Sequence, residues 1–206
     1  DHPGAASSTI VAGRAIGPYD ADTWATLSIM NRAFGGSFES RLNMNLREDK
    51  SWSYGYYSGI ARNSSGDMTF SSSGQVQTDK TAESMQEIKR EFDEFVSSRP
   101  ATAEEIDRIK LNRTRSLPGS FETNVGFLSS VIDSDSYGLP FDYAQSSATR
   151  IAAVSLEGVH AAARQIVDSG KLTWLIVGEL EKIEEPIRAL GYGEVEVWDA
   201  FGNKLR

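Results

Sequence analysis

The chain has 206 residues, of which 39% are hydrophobic and 24% are charged, so it is long enough to bury the core of one large domain. Its formal net charge of −8 disfavours nucleic acid as a partner, because phosphates require a clustered basic surface. No apolar run approaches the roughly 18 residues of a membrane span, so no membrane partner is predicted. The absence of cysteine excludes disulfides, zinc ribbons and thiol catalysis, and two histidines, His2 and His160, are too few for a self-contained histidine metal site.

The first predicted elements are a strand and an amphipathic helix. The apolar stretch of residues 8–15 predicts the strand, and Asp20 or Asp22 can cap the helix that follows by accepting its free N–H groups. Gly35-Gly36 ends this helix, since glycine adopts the left-handed conformation in which helices terminate. One face of the helix is apolar, with hydrophobic residues spaced three and four apart: Leu27, Met30 and Phe34.

A second short helix and a β-hairpin come next. The helix has apolar residues every four positions, at Phe38, Leu42 and Leu46, and its last turn carries Arg47. From Ser53 the period changes to two, which predicts a strand, a turn at residues 63–67 and a second strand through residues 68–74.

The rest of the chain is mainly helical. Residues 80–98 predict a long amphipathic helix, and residues 102–105 have the spacing of a capping box that opens another. The elements predicted after these are a helix with an apolar stripe at Phe121, Val125, Leu128 and Ile132, a short helix within residues 141–150, a helix capped by Ser155, a strand at residues 172–177, a helix at residues 183–190 and a final strand at residues 194–198.

This order of elements predicts an α+β fold. Strands occur early and at the end of the chain, with consecutive helices between them, which favours a mostly antiparallel sheet packed against a layer of helices over a doubly wound parallel sheet. No repeat, low-complexity segment or linker divides the chain. We therefore predict a single domain over residues 1–206.

The common catalytic motifs are missing from the sequence. There is no glycine-rich loop ending in lysine, and "GGSFES" lacks the elbow of a serine nucleophile. Glu157 and His160 have a spacing used in carboxylate-bridged metal sites, but an exposed helix face is the favoured interpretation. The paired carboxylates elsewhere fall at helix ends or on exposed faces, where they serve capping and solvation.

One stretch resembles a known family. The segment "FGGSFESRLNMNLREDKSWSYGYYSG", residues 34–59, resembles the pitrilysin/insulinase (inverzincin) family of zinc metallopeptidases, whose pattern is L-G-G-x-F-x-S-R-L, then L-R-E, then a tyrosine seven residues beyond that arginine. Stretches near both ends and after the hairpin match the family in the expected order. The family's zinc motif, H-x-x-E-H, is not present in this sequence.

The resemblance implies a C-terminal, non-zinc half of such an enzyme, with the processing-peptidase-like (LuxS/MPP-like metallohydrolase) fold. In this family the zinc-bearing half and the partner half close around a peptide substrate, so zinc is expected in another domain or subunit and no cofactor in this chain. Arg47 and Tyr54 match the family's arginine and tyrosine in type and spacing. As catalytic residues, they are expected to bind the peptide and to stabilise the oxyanion of the tetrahedral intermediate. The chain alone is expected to be inactive.

Three further positions are candidate substrate-binding residues. In some relatives the loop equivalent to Gly35 and Gly36 is lengthened and grips substrate; here it is short, and a plain helix stop is the favoured interpretation. Trp52 replaces a small residue of the family pattern and is expected to alter the substrate groove. Ser51 replaces a glycine, which predicts a different turn, because glycine is less restricted in its backbone angles.

Two other functions stay open at this point. Relatives within the fold family include core subunits of respiratory complexes, so a non-catalytic scaffold or assembly domain is one alternative. A free-standing peptide-binding module, in which a sheet edge pairs with an extended peptide, is the other. An H-x-x-E-H motif in the remainder of the parent protein would favour the peptidase. The sequence does not fix the compartment, and a periplasmic location is favoured over a cytoplasmic one only because bacterial relatives are often exported.

Overall fold

A four-stranded antiparallel sheet organises the fold. The computed structural model describes residues 1–63 and 66–206, and within these ranges the sheet order is β2-β3-β1-β4. Pairing of β1 with β3 and β4, and of β2 with β3, is antiparallel throughout. The strands are β1 (Ser7–Pro18), β2 (Ser53–Ala61), β3 (Asp67–Gln77) and β4 (Thr173–Val177).

Helices lie between β1 and β2, between β3 and β4, and after β4. The helix α2 continues directly into a π-helical segment, Met44–Asp49, that ends just before β2. The α-helices are α1 (Ala21–Phe34), α2 (Arg41–Asn43), α3 (Thr81–Phe95), α4 (Ala103–Ser116), α5 (Asn124–Ser136), α6 (Ser147–Ala153), α7 (Leu156–Ile166) and α8 (Leu180–Ala189). This arrangement confirms the predicted α+β class.

The core lies between the helices and one face of the sheet. Alternate residues of β1 and β3, including Ile10 and Phe70, are buried, as the two-residue period of a strand requires. Phe34 of α1 packs its ring at 4.7 Å from the centroid of Phe92 and at 4.9 Å from that of Phe95, both on α3. Aromatic pairs at these distances add packing energy beyond the area they bury. The apolar stripes of α1 and α3 therefore meet over the sheet.

The predicted helix starts are confirmed by their caps. The Asp20 carboxylate accepts a hydrogen bond from the Asp22 N–H, and the Ser155 hydroxyl accepts one from the Gly158 N–H. Thr102 and Glu105 form a complete capping box at the start of α4. Each cap satisfies N–H groups that have no partner inside the helix.

One part of the prediction is wrong. Residues 194–198 do not form a strand of the sheet; Val197 instead exchanges hydrogen bonds with Leu205 and Arg206 at the chain end, so this segment pairs locally. The predicted helix with the apolar stripe is confirmed as α5, on which Val125, Leu128 and Ile132 are exposed. The predicted turn at residues 63–67 includes Ser64 and Ser65, which lie outside the described residues.

In the described part of the chain, no helix combines the length and apolar character that crossing a bilayer would demand.

Glu105 links α4 to α2. Its carboxylate accepts hydrogen bonds from the Thr102 N–H at 2.7 Å and from the Arg41 guanidinium at 2.9 Å. Partial burial by itself raises the pKa of Glu105, but the hydrogen bonds from Thr102 and the charge of Arg41 outweigh it and hold the pKa below its ordinary value. The charged form of Glu105 therefore stabilises the folded state.

Because the folded-state pKa is depressed, this contribution is present above the ordinary glutamate pKa of about 4.3 and is lost as the pH falls through the lower, folded-state value. We expect Glu105→Gln, which can still cap the helix, to lower the free energy of unfolding by about 0.5–1 kcal/mol at neutral pH. The difference from wild type should shrink in acid. Urea unfolding of the wild type and the variant at a series of pH values measures this difference in the free energy of unfolding.

Glu104→Gln is the matched control, since Glu104 is the exposed neighbour of Glu105. It removes the same charge from the first turn of α4 but no contact with Arg41, so its effect on the free energy of unfolding should be smaller than that of Glu105→Gln. A Glu105→Gln deficit that stayed constant down to the acid transition would show that the charge of Glu105 contributes nothing.

Candidate functional site: the π-helix and the start of strand β2

The outer edge of β2 is covered by α1 and α2. The Ser58 N–H donates to the Gly35 carbonyl at 2.8 Å, and the Asn31 side-chain amide donates to the Ser58 carbonyl at 3.2 Å. Two residues earlier in β2, the Tyr56 N–H donates to the Asn43 side-chain oxygen at 3.2 Å. An uncovered strand edge leaves such groups open to pairing with other chains. Here they fix the helix ends against the strand.

A second anchor holds the π-helical segment against α3. The side-chain amide of Asn45 donates to Glu87 at 2.9 Å and to the buried Glu91 at 2.7 Å. Arg99 donates to the same Glu91 carboxylate at 2.7 Å. A buried carboxylate is costly unless it is paired and hydrogen-bonded. The position of the π-helical segment is therefore specified by polar contacts as well as by its buried Leu46.

Arg47 lies on the surface of this π-helical segment. About one third of its side chain is exposed, and its guanidinium carbon lies 4.5 Å from the centre of the Phe38 ring. Its Nε lies 3.5 Å from the Glu48 carboxylate, a long contact on an exposed surface. The stack on Phe38 restrains the guanidinium through a cation–π contact while leaving N–H donors open to solvent.

Tyr54 is at the start of β2 and is fully exposed. Among the described residues, its hydroxyl has no hydrogen-bond partner, and no hydrogen bond joins it to Arg47. Its neighbour Tyr56 behaves differently: that ring is buried, and its hydroxyl contacts Ser72 at 3.2 Å. Tyr54 thus adds nothing to the core, and its hydroxyl is free to donate to a ligand.

The turn between the two side chains contains an unusual backbone angle. Ser51 has a φ of 57°, in the left-handed region that glycine adopts without strain. Ser51 itself thus takes the conformation for which a glycine is suited. Trp52 is half-buried against the core, and its backbone N–H and carbonyl bond to Leu46 and Gln77 at 3.0 and 2.9 Å. The turn is thereby tied to the π-helical segment on one side and to β3 on the other.

Gly35 and Gly36 allow close approach of backbone and side chains. A Cβ on Gly35 would overlap the Ser58 hydroxyl and lie 2.8 Å from a methyl group of Leu42. A Cβ on Gly36 would lie 2.6 Å from the side-chain nitrogen of Asn31. Both glycines also donate N–H groups to the Asn31 carbonyl, which ends α1. Their visible role is to let α1 meet β2 and to end α1. The helix stop is confirmed, but the left-handed conformation expected for it is wrong, since Gly35 has a φ of −153°.

The two edges of the sheet differ. The outer edge of β2 is occupied at Tyr56 and Ser58 by the contacts described above. Strand β4 pairs with β1 alone among the strands of the described residues, and its side chains Leu175 and Val177 are exposed. Strand addition by a peptide would therefore take place at β4.

The described residues contain no group of three histidine, cysteine or acidic side chains that could hold a metal ion. His160 is engaged in a structural contact, with its Nε2 at 2.7 Å from the Ala101 carbonyl oxygen. The donor set that zinc requires is thus not assembled within residues 1–63 and 66–206.

Sequence patterns did not identify every residue of this site. The four-residue spacing places Phe38 on an apolar helix face, but its ring is half-exposed and supports Arg47. The helical pattern gives no role to Asn31, Asn43 and Asn45. Asparagine within helices is nevertheless unusual, and it indicates that the side chain bonds elsewhere.

Fold and site together define an α+β domain with a partly exposed arginine and a fully exposed tyrosine on the segment that enters an edge strand. The model of the peptidase M16 inactive domain matches residues 3–113, just over half of the chain, and the chain therefore belongs to this family. This confirms the resemblance to the pitrilysin-type zinc metallopeptidases. A comparison with curated protein sequences gives no significant match.

Solved structures share the fold at low identity. The peptidase M16 inactive domain from Pseudomonas fluorescens has a TM-score of 0.74 and 22% identity, over 85% of this chain and 41% of that one. A protease from Helicobacter pylori has a TM-score of 0.75 and 14% identity, over 85% and 42%. A chain of complex III2 from Candida albicans has a TM-score of 0.70 and 9% identity, over 91% and 47%. The chain spans less than half the length of each.

The packing at Gly35 leads to a testable prediction. We expect Gly35→Ala to lower the free energy of unfolding by about 1–3 kcal/mol, because the added methyl group overpacks the junction of α1 with β2. Gly59→Ala is the matched control, since a Cβ there meets no atom within 4 Å. Chemical denaturation of both variants measures the difference. Equal stabilities would show that the junction yields to a methyl group, and would leave Gly35 free for a role with substrate.

Proposed function

We propose that this domain is the substrate-clamp half of a zinc metalloendopeptidase. It would complete an active site whose zinc is carried by another domain of the same chain or by a partner subunit. Arg47 and Tyr54 would bind the peptide and stabilise the tetrahedral intermediate. Membership of the M16 inactive-domain family supports the general assignment. The roles of the two residues rest on their placement.

One observation carries this proposal. Arg47 and Tyr54 project from a segment that polar contacts fix to α1, α2 and α3, yet neither side chain is used by the core. Tyr54 has no hydrogen-bond partner among the described residues, and the ion-pair contact of Arg47 with Glu48 is long and lies on an exposed surface. Donors held on a rigid frame and left open to solvent are suited to a ligand, because little reorganisation is needed on binding.

The chemistry of peptide hydrolysis requires such donors. Addition of water to the scissile carbonyl places negative charge on its oxygen, and a preplaced hydroxyl stabilises that charge most strongly where water is excluded. Tyr54 would donate its O–H to this oxygen or to the adjacent backbone. Arg47, with the planar fork of N–H donors of its guanidinium, would hold substrate carbonyls beside it. A bound zinc ion supplies the Lewis acid and an acidified water.

The surface next to Arg47 offers room for a peptide. Phe38, whose ring supports the guanidinium, also borders a cavity of about 260 Å³. The wall of this cavity includes Glu39 and Arg108, which form an exposed ion pair at 2.8 Å. A half-exposed aromatic ring next to charged side chains can contact both the apolar and the polar parts of a peptide.

A scaffold or assembly domain is the second candidate function. Proteases and a chain of complex III2 share this fold, so the fold does not choose between catalysis and assembly. A scaffold has no use for the Tyr54 hydroxyl. A change in turnover on removal of the Tyr54 hydroxyl would therefore favour the peptidase, and an unchanged turnover would favour the scaffold.

In the full-length protein, or in this chain combined with its zinc-bearing half, Tyr54→Phe should lower kcat on the order of 10²-fold, with a smaller change in KM. The reason is that the hydroxyl acts mainly in the transition state. Steady-state cleavage of a quenched fluorescent peptide measures both constants. Stability should be unchanged, since Tyr54 is fully exposed.

Tyr57→Phe is the control, because Tyr57 is another exposed tyrosine of β2 and loses the same atom. Its kinetics should match those of the wild type. If Tyr54→Phe turned over as fast as the wild type, the catalytic assignment would be wrong and the scaffold would be favoured.

This chain by itself should bind zinc no more tightly than a histidine-poor control protein, because its described residues assemble no ligand set. Isothermal titration calorimetry with zinc chloride measures this directly. A tight site at one equivalent would overturn the assignment of zinc to another domain.

A further inference from the structure

A second cavity lies among the helices, and neither Arg47 nor Tyr54 lines it. It has a volume of about 340 Å³, and residues of α1, α4, α5 and α6 form its walls. None of the residues that line it belongs to the π-helical segment or to β2. Its size is within the lower range of cavities that hold small ligands.

The lining carries an excess of positive charge. It includes Arg62, Arg113 and Arg150, and Asp133 as a carboxylate. Asp133 is already paired with Arg62, at 2.7 Å between carboxylate and guanidinium. Two guanidinium groups therefore remain without a carboxylate partner in the lining. This is notable in a chain whose formal net charge is −8.

Of these guanidinium groups, that of Arg113 has the fewest hydrogen-bond and ion-pair partners. It is half-buried, forms no ion pair with the described residues, and its buried Nε has no hydrogen-bond partner. Burial lowers the pKa of the Arg113 guanidinium, and the nearby charge of Arg32 lowers it further. A buried donor without an acceptor costs free energy, and an anion in the cavity would supply both an acceptor and an opposite charge.

Arg150 is held in place without using a carboxylate. Its guanidinium stacks on the Tyr143 ring at 3.4 Å from the ring centre, and it donates to the Tyr143 carbonyl at 2.9 Å and the Ser147 hydroxyl at 3.2 Å. A guanidinium fixed in this way is prepared to meet a planar or tetrahedral oxyanion. Hydroxyl groups of the lining, such as those of Ser28 and Ser130, add further donors.

The remainder of the lining is apolar, with Ile29, Leu117, Phe121 and Ile151 among its residues. An inorganic ion would fill only the charged part of the cavity and would leave the apolar wall in contact with water. A ligand that carries an oxyanion on an apolar body would satisfy both halves of the cavity.

We propose that this cavity is a binding site for a small organic oxyanion, a carboxylate or phosphate carried on an apolar body, with Arg113 and Arg150 receiving the charged group. This cavity shares no lining residue with the one beside Phe38, so it would give the domain a second ligand that is not the substrate.

Calorimetric titration of this chain with hexanoate and with phenyl phosphate tests the proposal, and the two probes separate carboxylate from phosphate. At least one should bind at one equivalent. Hexanamide, the neutral counterpart of hexanoate, and inorganic phosphate, which lacks the apolar body, should each bind more weakly than that probe. No binding of either oxyanion at millimolar concentration, or equally tight binding of hexanamide, would overturn the proposal.

Variants on one helix locate the site. Arg113→Gln should weaken binding of the oxyanion roughly tenfold or more, because it removes a charged donor from the wall. Arg115→Gln makes the same change at an exposed position of α4 outside the lining, and should leave the affinity unchanged. Arg113→Lys, which retains the charge but loses the planar fork, should also weaken binding. Thermal unfolding confirms that each variant is folded, and unchanged affinity in both Arg113 variants would overturn the assignment.

Discussion

The contacts that join the first two helices to the outer edge of β2 are the constraint on which the site depends. Asn31 and the Gly35 carbonyl satisfy both backbone groups of Ser58, and Asn43 satisfies the N–H of Tyr56. An edge strand that is closed by its own helices does not pair with a neighbouring chain. The same bonds fix the path of the chain from α1, through the π-helical segment, into β2. Arg47 and Tyr54 lie on that path.

The interior and the surface of this segment have separate tasks. Leu42, Leu46 and Tyr56 are buried and stabilise the junction, while Asn45 ties it to the carboxylates of α3. Arg47 and Tyr54 can then remain exposed without loss of stability. The π-helical geometry is consistent with such a division, because π-helical turns are rare and often occur at functional sites. Folding and ligand binding thus use different side chains of one short stretch.

Local patterns predicted the elements well where one physical signal dominated. The stripe of α3 and the caps of α1, α4 and α7 were visible in the sequence, because each depends on residues within one or two turns. Residues 194–198 alternate as a strand does, yet they pair with the last residues of the chain. The apolar stripe of α5 is exposed. Alternation and helical periodicity indicate whether a segment forms a strand or a helix, but they do not indicate the surface against which it packs.

The sequence by itself determined the α+β class, the family and the seven-residue spacing of Arg47 and Tyr54. Only the tertiary structure decided that Phe38 lies under the Arg47 guanidinium, that β2 is closed at its outer edge while β4 is not, and that three arginines share one cavity. The reason is physical. Element type follows from neighbours along the chain, whereas each of these three features joins residues from separate elements, and only packing brings those together.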